Sequence, residues 1–102
     1  MRTTLLGILF GVTALLSAAP ASADDETFLG ALEMVGIAAD DPAAAVAMGR
    51  SVCASFDNGQ TVPVIVDRLS TQHGLSVDQA GLVTGFSVAE YCDHHEGALG
   101  GP

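Results

Sequence analysis

The sequence predicts an all-α fold, a small bundle of about four short helices stapled by one disulfide bond. Apolar residues recur at spacings of three and four in successive segments, which is typical of amphipathic helices. Gly36, Gly59 and Gly74 end the first three segments, as glycine commonly does at helix C-termini. The chain has only two cysteines, Cys53 and Cys92. The second cysteine closes the stretch 76–92, around which we expect the other helices to pack.

The first 23 residues have the order of a secretory signal peptide. A basic start precedes the uncharged apolar run Leu5 to Leu16, and the small-residue site Ala21-Ser22-Ala23 follows. The run has 12 residues, whereas a membrane-spanning helix needs roughly 20. We therefore predict cleavage after Ala23, no transmembrane segment in the mature chain, and a secreted, extracellular or cell-envelope location. No cysteine begins the predicted mature chain, so we expect no lipid-anchored cysteine.

The remaining 79 residues are enough for one domain, predicted at 24–96, with a disordered tail at 97–102. Its twelve acidic residues are opposed only by Arg50 and Arg68, which gives a formal net charge of −10. This charge argues against nucleic-acid binding and against electrostatic attachment to anionic lipid, since both depend on Lys and Arg.

Caps and apolar spacing define the first two helices. The first is predicted from about Asp25 to Val35, with Phe28 and Leu32 on its apolar face and Ile37 tucked under the following turn. The second begins at Asp41-Pro42, an N-cap followed by a favourable first residue. One face of the second helix is predicted to carry Val46, Gly49, Cys53 and Phe56. Gly49 is expected to allow close approach of another helix.

The third segment admits two interpretations. Val62 to Val66 is rich in β-branched residues and is compatible with a strand. However, Val62, Ile65, Val66 and Leu69 follow the helical spacing, and Pro63 would interrupt a sheet ladder. We predict a helix that Thr61 caps and Gly74 ends.

The fourth helix opens with a capping box, in which Ser76 caps and Gln79 reaches back. Its apolar stripe is predicted to consist of Leu82, Phe86 and Ala89, flanked by Val83 and Cys92. Gly81 and Gly85 are four residues apart, a spacing that can let helices approach closely.

Two cysteines in an exported chain indicate a disulfide between Cys53 and Cys92. The closed loop spans 40 residues, for which chain entropy gives about 4 kcal/mol of stabilisation. A reactive thiol pair would favour Cys-x-x-Cys spacing, which is absent.

A family resemblance accompanies these features. The order of Phe28-Leu29, Gly36-Ile37, Gly49…Cys53 and a final Tyr91-Cys92 resembles small exported proteins of actinobacteria, common in mycobacteria, grouped as domain of unknown function 732 (DUF732). The resemblance implies a secreted or envelope-associated helical domain with one disulfide, and it implies no activity. Members typically have proline directly after the second cysteine, where this chain has Asp93 and a longer tail.

Few residues have ligand chemistry. His94 and His95, between Asp93 and Glu96, are candidate metal ligands, although adjacent histidines on a tail form a structural zinc site poorly. Tyr91 is a candidate haem ligand if an apolar slot lies beside it; otherwise its ring should cover the disulfide and its hydroxyl should meet water.

No pattern in the sequence amounts to a catalytic site. Four serines, Ser51, Ser55, Ser70 and Ser87, lie in helical segments, and none has the Gly-x-Ser-x-Gly setting. We expect no enzyme activity and no cofactor. The predicted function is a non-enzymatic domain that binds an unknown envelope or extracellular protein. The alternatives are a small-ligand carrier for haem or lipid, opened by Gly49, Gly81 and Gly85, or metal binding by the tail; the sequence leaves the oligomeric state open.

Overall fold

The computed structural model of the protein describes residues 22–100. Most of the predicted signal peptide lies outside this range, and its cleavage stays a prediction. Within it are four α-helices and one 3₁₀ helix, so the all-α prediction is confirmed. Their bounds are α1 (Ala23–Met34), α2 (Pro42–Asp57), α3 (Val62–His73), α4 (Val77–Tyr91) and the 3₁₀ helix Asp93–Leu99.

Side-chain caps begin three of the four α-helices. Ser22 Oγ, which lies within the predicted signal peptide, accepts a hydrogen bond from the Asp25 amide at 3.2 Å. Asp41 Oδ1 accepts one from the Ala44 amide, also at 3.2 Å. Ser76 and Gln79 form the predicted capping box. Thr61 occupies the N-cap position of α3 but makes no capping hydrogen bond with its side chain.

The third segment is a helix, which resolves the choice between helix and strand. Ile65 and Leu69 are fully buried, as their spacing predicts. The helix ends at Gly74, whose φ of 67° lies in the left-handed region that favours glycine.

Helix α4 is the central element. It packs against α1, α2, α3 and the 3₁₀ helix. Phe28 and Leu32 from α1 are fully buried, and Ile37 lies under the α1–α2 turn as predicted. The rest of the apolar core consists of Met48, Val52, Cys53, Phe56, Ile65, Leu69, Ala80, Val83, Val88 and Cys92.

The predicted apolar stripe of α4 is wrong by about one residue in register. Leu82 is 42% exposed, whereas Val83 and Val88 are fully buried. The buried face also carries Thr84 and Ser87. Their hydroxyls donate to the carbonyls of Ala80 and Val83 at 2.8 and 2.7 Å, so these polar side chains are buried with their hydrogen bonds made.

The close approach predicted at Gly81 and Gly85 is also not observed. A Cβ atom at either glycine would have no neighbouring heavy atom within 4 Å, apart from the adjoining residues and its own helix backbone. In contrast, a Cβ atom on Gly49 would lie 2.6 Å from Phe28 Cζ. The close helix approach predicted at Gly49 is therefore confirmed, between α1 and α2.

The 3₁₀ helix extends past Glu96, the predicted end of the domain. The amide of His95 donates to the carbonyl of Cys92 at 2.8 Å, which starts the 3₁₀ helix directly after the disulfide. This helix includes 97–99, which we predicted to be disordered; residues 101–102 lie outside the described range.

Candidate functional site

The disulfide joins the C-terminal part of α2 to the residue that directly follows α4. Cys53 and Cys92 are bonded with their Cα atoms 5.9 Å apart, which confirms the predicted pairing. Both residues are buried, at 9% and 4% exposure. The bond therefore holds the end of α2, which follows Cys53, near the 3₁₀ helix, which follows Cys92.

A cluster of three possible metal ligands lies beside the disulfide. The ligand atoms of Asp57, His94 and His95 all lie within 4.8 Å of one another. His95 Nε2 is 2.7 Å and His94 Nε2 is 4.0 Å from Asp57 Oδ1. The two imidazoles named from the sequence therefore converge on one carboxylate, Asp57, which the sequence did not indicate as a ligand.

Aromatic stacking holds the His95 ring. The rings of His95 and Phe56 lie 5.4 Å apart at 26°, and those of His94 and His95 lie 4.3 Å apart. His95 keeps 22% of its side chain exposed, whereas His94 is 68% exposed. The cluster is thus open to solvent on the His94 side.

Tyr91 belongs to a second cluster, which joins α1, α2 and α4. Its hydroxyl donates to Asp25 Oδ1 at 2.6 Å, and Arg50 Nη2 donates to the same oxygen at 3.0 Å. The Arg50 guanidinium also lies 4.6 Å from the centre of the Tyr91 ring, a cation–π contact. The ring packs against Phe28, with centres 5.4 Å apart. The predicted hydrogen bond of the hydroxyl to water is thus replaced by one to Asp25.

These contacts shift the pKa values of Tyr91 and Asp25 in opposite directions. Burial, together with the hydrogen bond to Asp25, raises the pKa of Tyr91 well above its ordinary value. The hydrogen bond from Tyr91, together with that from Arg50, lowers the pKa of the Asp25 carboxyl. A haem-ligating tyrosine acts as a phenolate, so this arrangement disfavours iron binding by Tyr91.

An open groove of about 510 Å³ lies along α1 and the segment that connects it to α2. Its apolar residues include Leu29 and Ile37, and its acidic residues are Glu26, Glu33 and Asp40. A smaller opening of about 270 Å³ adjoins the other side of the same connecting segment. Shared residues of the two openings are Ile37, Ala38, Ala39 and Asp40.

The four helical serines all make hydrogen bonds within the fold. Ser51, Ser70 and Ser87 donate to backbone carbonyls at 2.6 to 2.7 Å. Ser55 Oγ accepts from Arg68 Nη2 at 2.7 Å. These contacts give each hydroxyl a structural role.

None of the helices within residues 22–100 has the length and apolar character required to cross a membrane.

Comparison with known proteins shows to which family the chain is similar. The family described as "Protein of unknown function (DUF732)" matches residues 24–93. The protein named "Putative lipoprotein LprJ" of Mycobacterium tuberculosis H37Rv is 43% identical over 95 residues, which cover 88% of this chain and 75% of that protein. "Uncharacterized protein Mb1323c" of Mycobacterium bovis and "Uncharacterized protein MT1330" of M. tuberculosis CDC 1551 are each 30% identical over 95 residues, covering 91% of this chain and 86% of theirs. No solved structure matches the chain. With its family match spanning nearly all of the helical domain, the chain belongs to the DUF732 family.

Proposed function

We propose that the protein is a non-enzymatic domain of the cell envelope or extracellular space that binds another protein through the groove along α1. The observation that carries this proposal is the combination of apolar and acidic residues in one open groove. Such a groove suits a partner segment that presents apolar side chains flanked by Lys or Arg, because complementary charge speeds association and favours the correct partner.

The proposed location rests on three supports. A disulfide persists in oxidising compartments, which favours a position outside the cytoplasm. The N-terminal 23 residues have the pattern of an export signal. The relative LprJ carries the name "Putative lipoprotein", which supports a location in the cell envelope.

The hydrogen-bonded serines support the non-enzymatic part of the proposal. A catalytic serine needs a neighbouring base that accepts its proton. Ser51, Ser70 and Ser87 instead donate to carbonyls of the backbone.

A small-ligand carrier has less support. Ligand pockets usually bury most of the ligand surface, whereas the groove along α1 is open. The space beside Gly49, where the carrier alternative requires a ligand cavity, is filled by the Phe28 ring.

A crosslinking experiment tests the proposed groove. A photoreactive residue in place of Ala38, exposed and on the groove, should capture a discrete envelope protein, whereas one at Ala47, exposed on α2, should not. Glu33→Lys should abolish this capture, since it reverses one charge of the groove. Lysine is favourable in the last turn of a helix, so α1 should keep its fold.

Asp67→Lys is the matched control, because Asp67 is an exposed acid on α3, outside the groove. Equal loss of capture in both charge-reversal variants would show that only net charge matters and would reject the groove.

A further inference from the structure

The side chains of Asp57 and His95 are brought together by the disulfide. Asp57 follows Cys53 by four residues on α2, a spacing that places both on one face of the helix. His95 follows Cys92 by three residues in the first turn of the 3₁₀ helix. The covalent bond between the two cysteines therefore sets the distance between the carboxylate and the imidazole.

The ligand atoms lie close to the spacing of a metal site, and a hydrogen bond joins His95 Nε2 to Asp57 Oδ1. Zinc bonds to imidazole nitrogen and carboxylate oxygen are roughly 2.0–2.2 Å long, so the ligand atoms of a tetrahedral site lie about 3.3–3.6 Å apart. The observed distances from Asp57 Oδ1 are 2.7 Å to His95 Nε2 and 4.0 Å to His94 Nε2. Shifts of less than about 1 Å, most easily in the exposed His94 side chain, would bring both nitrogens to the required distance.

The position of Asp57 gives an independent electrostatic reason for a cation. Asp57 is the last residue of α2, where the helix dipole is negative and an acidic side chain is unfavourable. Among the described residues, the ion-pair partners found for Asp57 are the two histidines alone, which are charged only when protonated. A divalent ion would offset both the carboxylate and the helix terminus.

We propose that Asp57, His94 and His95 form a binding site for a divalent transition-metal ion, with Zn²⁺ as the probe. Two imidazoles and one carboxylate form a ligand set that suits Zn²⁺ and its neighbours in the first row. Three protein ligands leave one coordination position for water or for a side chain of a partner. None of the three residues lines the groove along α1, so this proposal is independent of the proposed function.

Calorimetry with Zn²⁺ on the oxidised protein, purified without a histidine tag, tests the site. We expect one saturable ion per chain. His95→Gln and Asp57→Asn should each weaken binding by more than tenfold, since loss of even an outer partner of a metal ligand reduces affinity about 10–100-fold. His73→Gln is the matched control, because His73 is exposed at the end of α3 and lies outside the cluster. The affinity of this variant for Zn²⁺ should equal that of the wild type.

NMR spectroscopy gives a second measurement without any substitution. The chain has three histidines, so Zn²⁺ should shift the ring resonances of His94 and His95 and leave those of His73 unchanged. The proposal is overturned if no saturable binding occurs, if all three rings shift together, or if the His73 variant loses as much affinity as the site variants. Circular dichroism of each variant checks that it has folded.

Discussion

At the level of single residues, the position of Tyr91 is the clearest case in which the fold changes a side chain's chemistry. The residue sits at the end of α4, and its hydroxyl meets an acid from the first turn of α1. The partner residues Asp25 and Arg50 lie 66 and 41 positions earlier in the sequence. No local pattern links positions so far apart, so the sequence alone predicts a hydroxyl that meets water.

The alkaline stability of the protein should depend on Tyr91. Its folded-state pKa is raised, so its contribution is fully present below the unfolded value of about 10 and is lost as pH rises above that value. The free energy of unfolding should fall by up to about 1.4 kcal/mol per pH unit in this range. In Tyr91→Phe this alkaline decline should disappear.

Because Tyr91 is the only tyrosine and the chain has no tryptophan, absorbance of the tyrosinate reports its ionisation directly. The native protein should resist ionisation at pH values where the protein unfolded in urea is already ionised. Ionisation of the folded protein at the same pH as the unfolded one would show that the hydroxyl is not held by Asp25.

At the level of helices, the crossing of α1 and α2 depends on Gly49. A Cβ atom there would overlap the ring of Phe28, which is fully buried and packed against Tyr91. Gly49→Ala should therefore lower the free energy of unfolding: overpacking costs about 1–3 kcal/mol, and better helix propensity offsets up to about 1 kcal/mol of this.

Gly81→Ala on α4 is the matched control, since its new methyl group meets no neighbouring side chain. This variant should gain about 0.4–1 kcal/mol in urea denaturation. A gain in stability for both variants would contradict the tight contact between α1 and α2.

The helices differ in how well the sequence predicted their buried faces. On α1 and α3 the buried residues are purely apolar, so the spacing of Phe28 and Leu32, or of Ile65 and Leu69, identified the face directly. On α4 the buried face includes two hydroxyl residues, while the exposed face carries Leu82. The spacing of apolar residues therefore predicted a face displaced by about one residue, because Thr and Ser can be buried when they bond to the preceding helical turn.

The candidate metal site was also predicted only in part from the sequence. The sequence identified both imidazoles because they are adjacent and chemically distinctive. It did not identify Asp57, whose role depends on the disulfide. The available signal was positional: Asp57 lies four residues after Cys53, and His95 lies three residues after Cys92. Once the cysteines are paired, these offsets place the carboxylate near the imidazole.

At the level of the whole molecule, one region at the end of α4 holds the bundle together. Tyr91 joins α4 to α1 through Asp25, and the neighbouring Cys92 joins it to α2. Helix α3 is held by packing of Ile65 and Leu69 and by the bond from Arg68 to Ser55. A chain of this size buries a limited core, so the covalent bond should account for a large share of its stability.

Removal of the disulfide tests that share. The double variant Cys53→Ala/Cys92→Ala should lose about 4 kcal/mol in urea denaturation, because its unfolded chain is no longer restricted by a closed loop. Proteins have a total stability of roughly 5–15 kcal/mol, so the variant should lose a quarter or more of its stability. Wild-type protein in a reducing agent should unfold at nearly the same urea concentration as the variant. Alkylation should confirm that both sulfurs of the reduced protein are free. If the urea midpoint of this reduced protein nevertheless equals that of the oxidised protein, the disulfide is not a major source of stability. The apolar core and the Tyr91–Asp25 contact must then hold α1, α2 and α4 together.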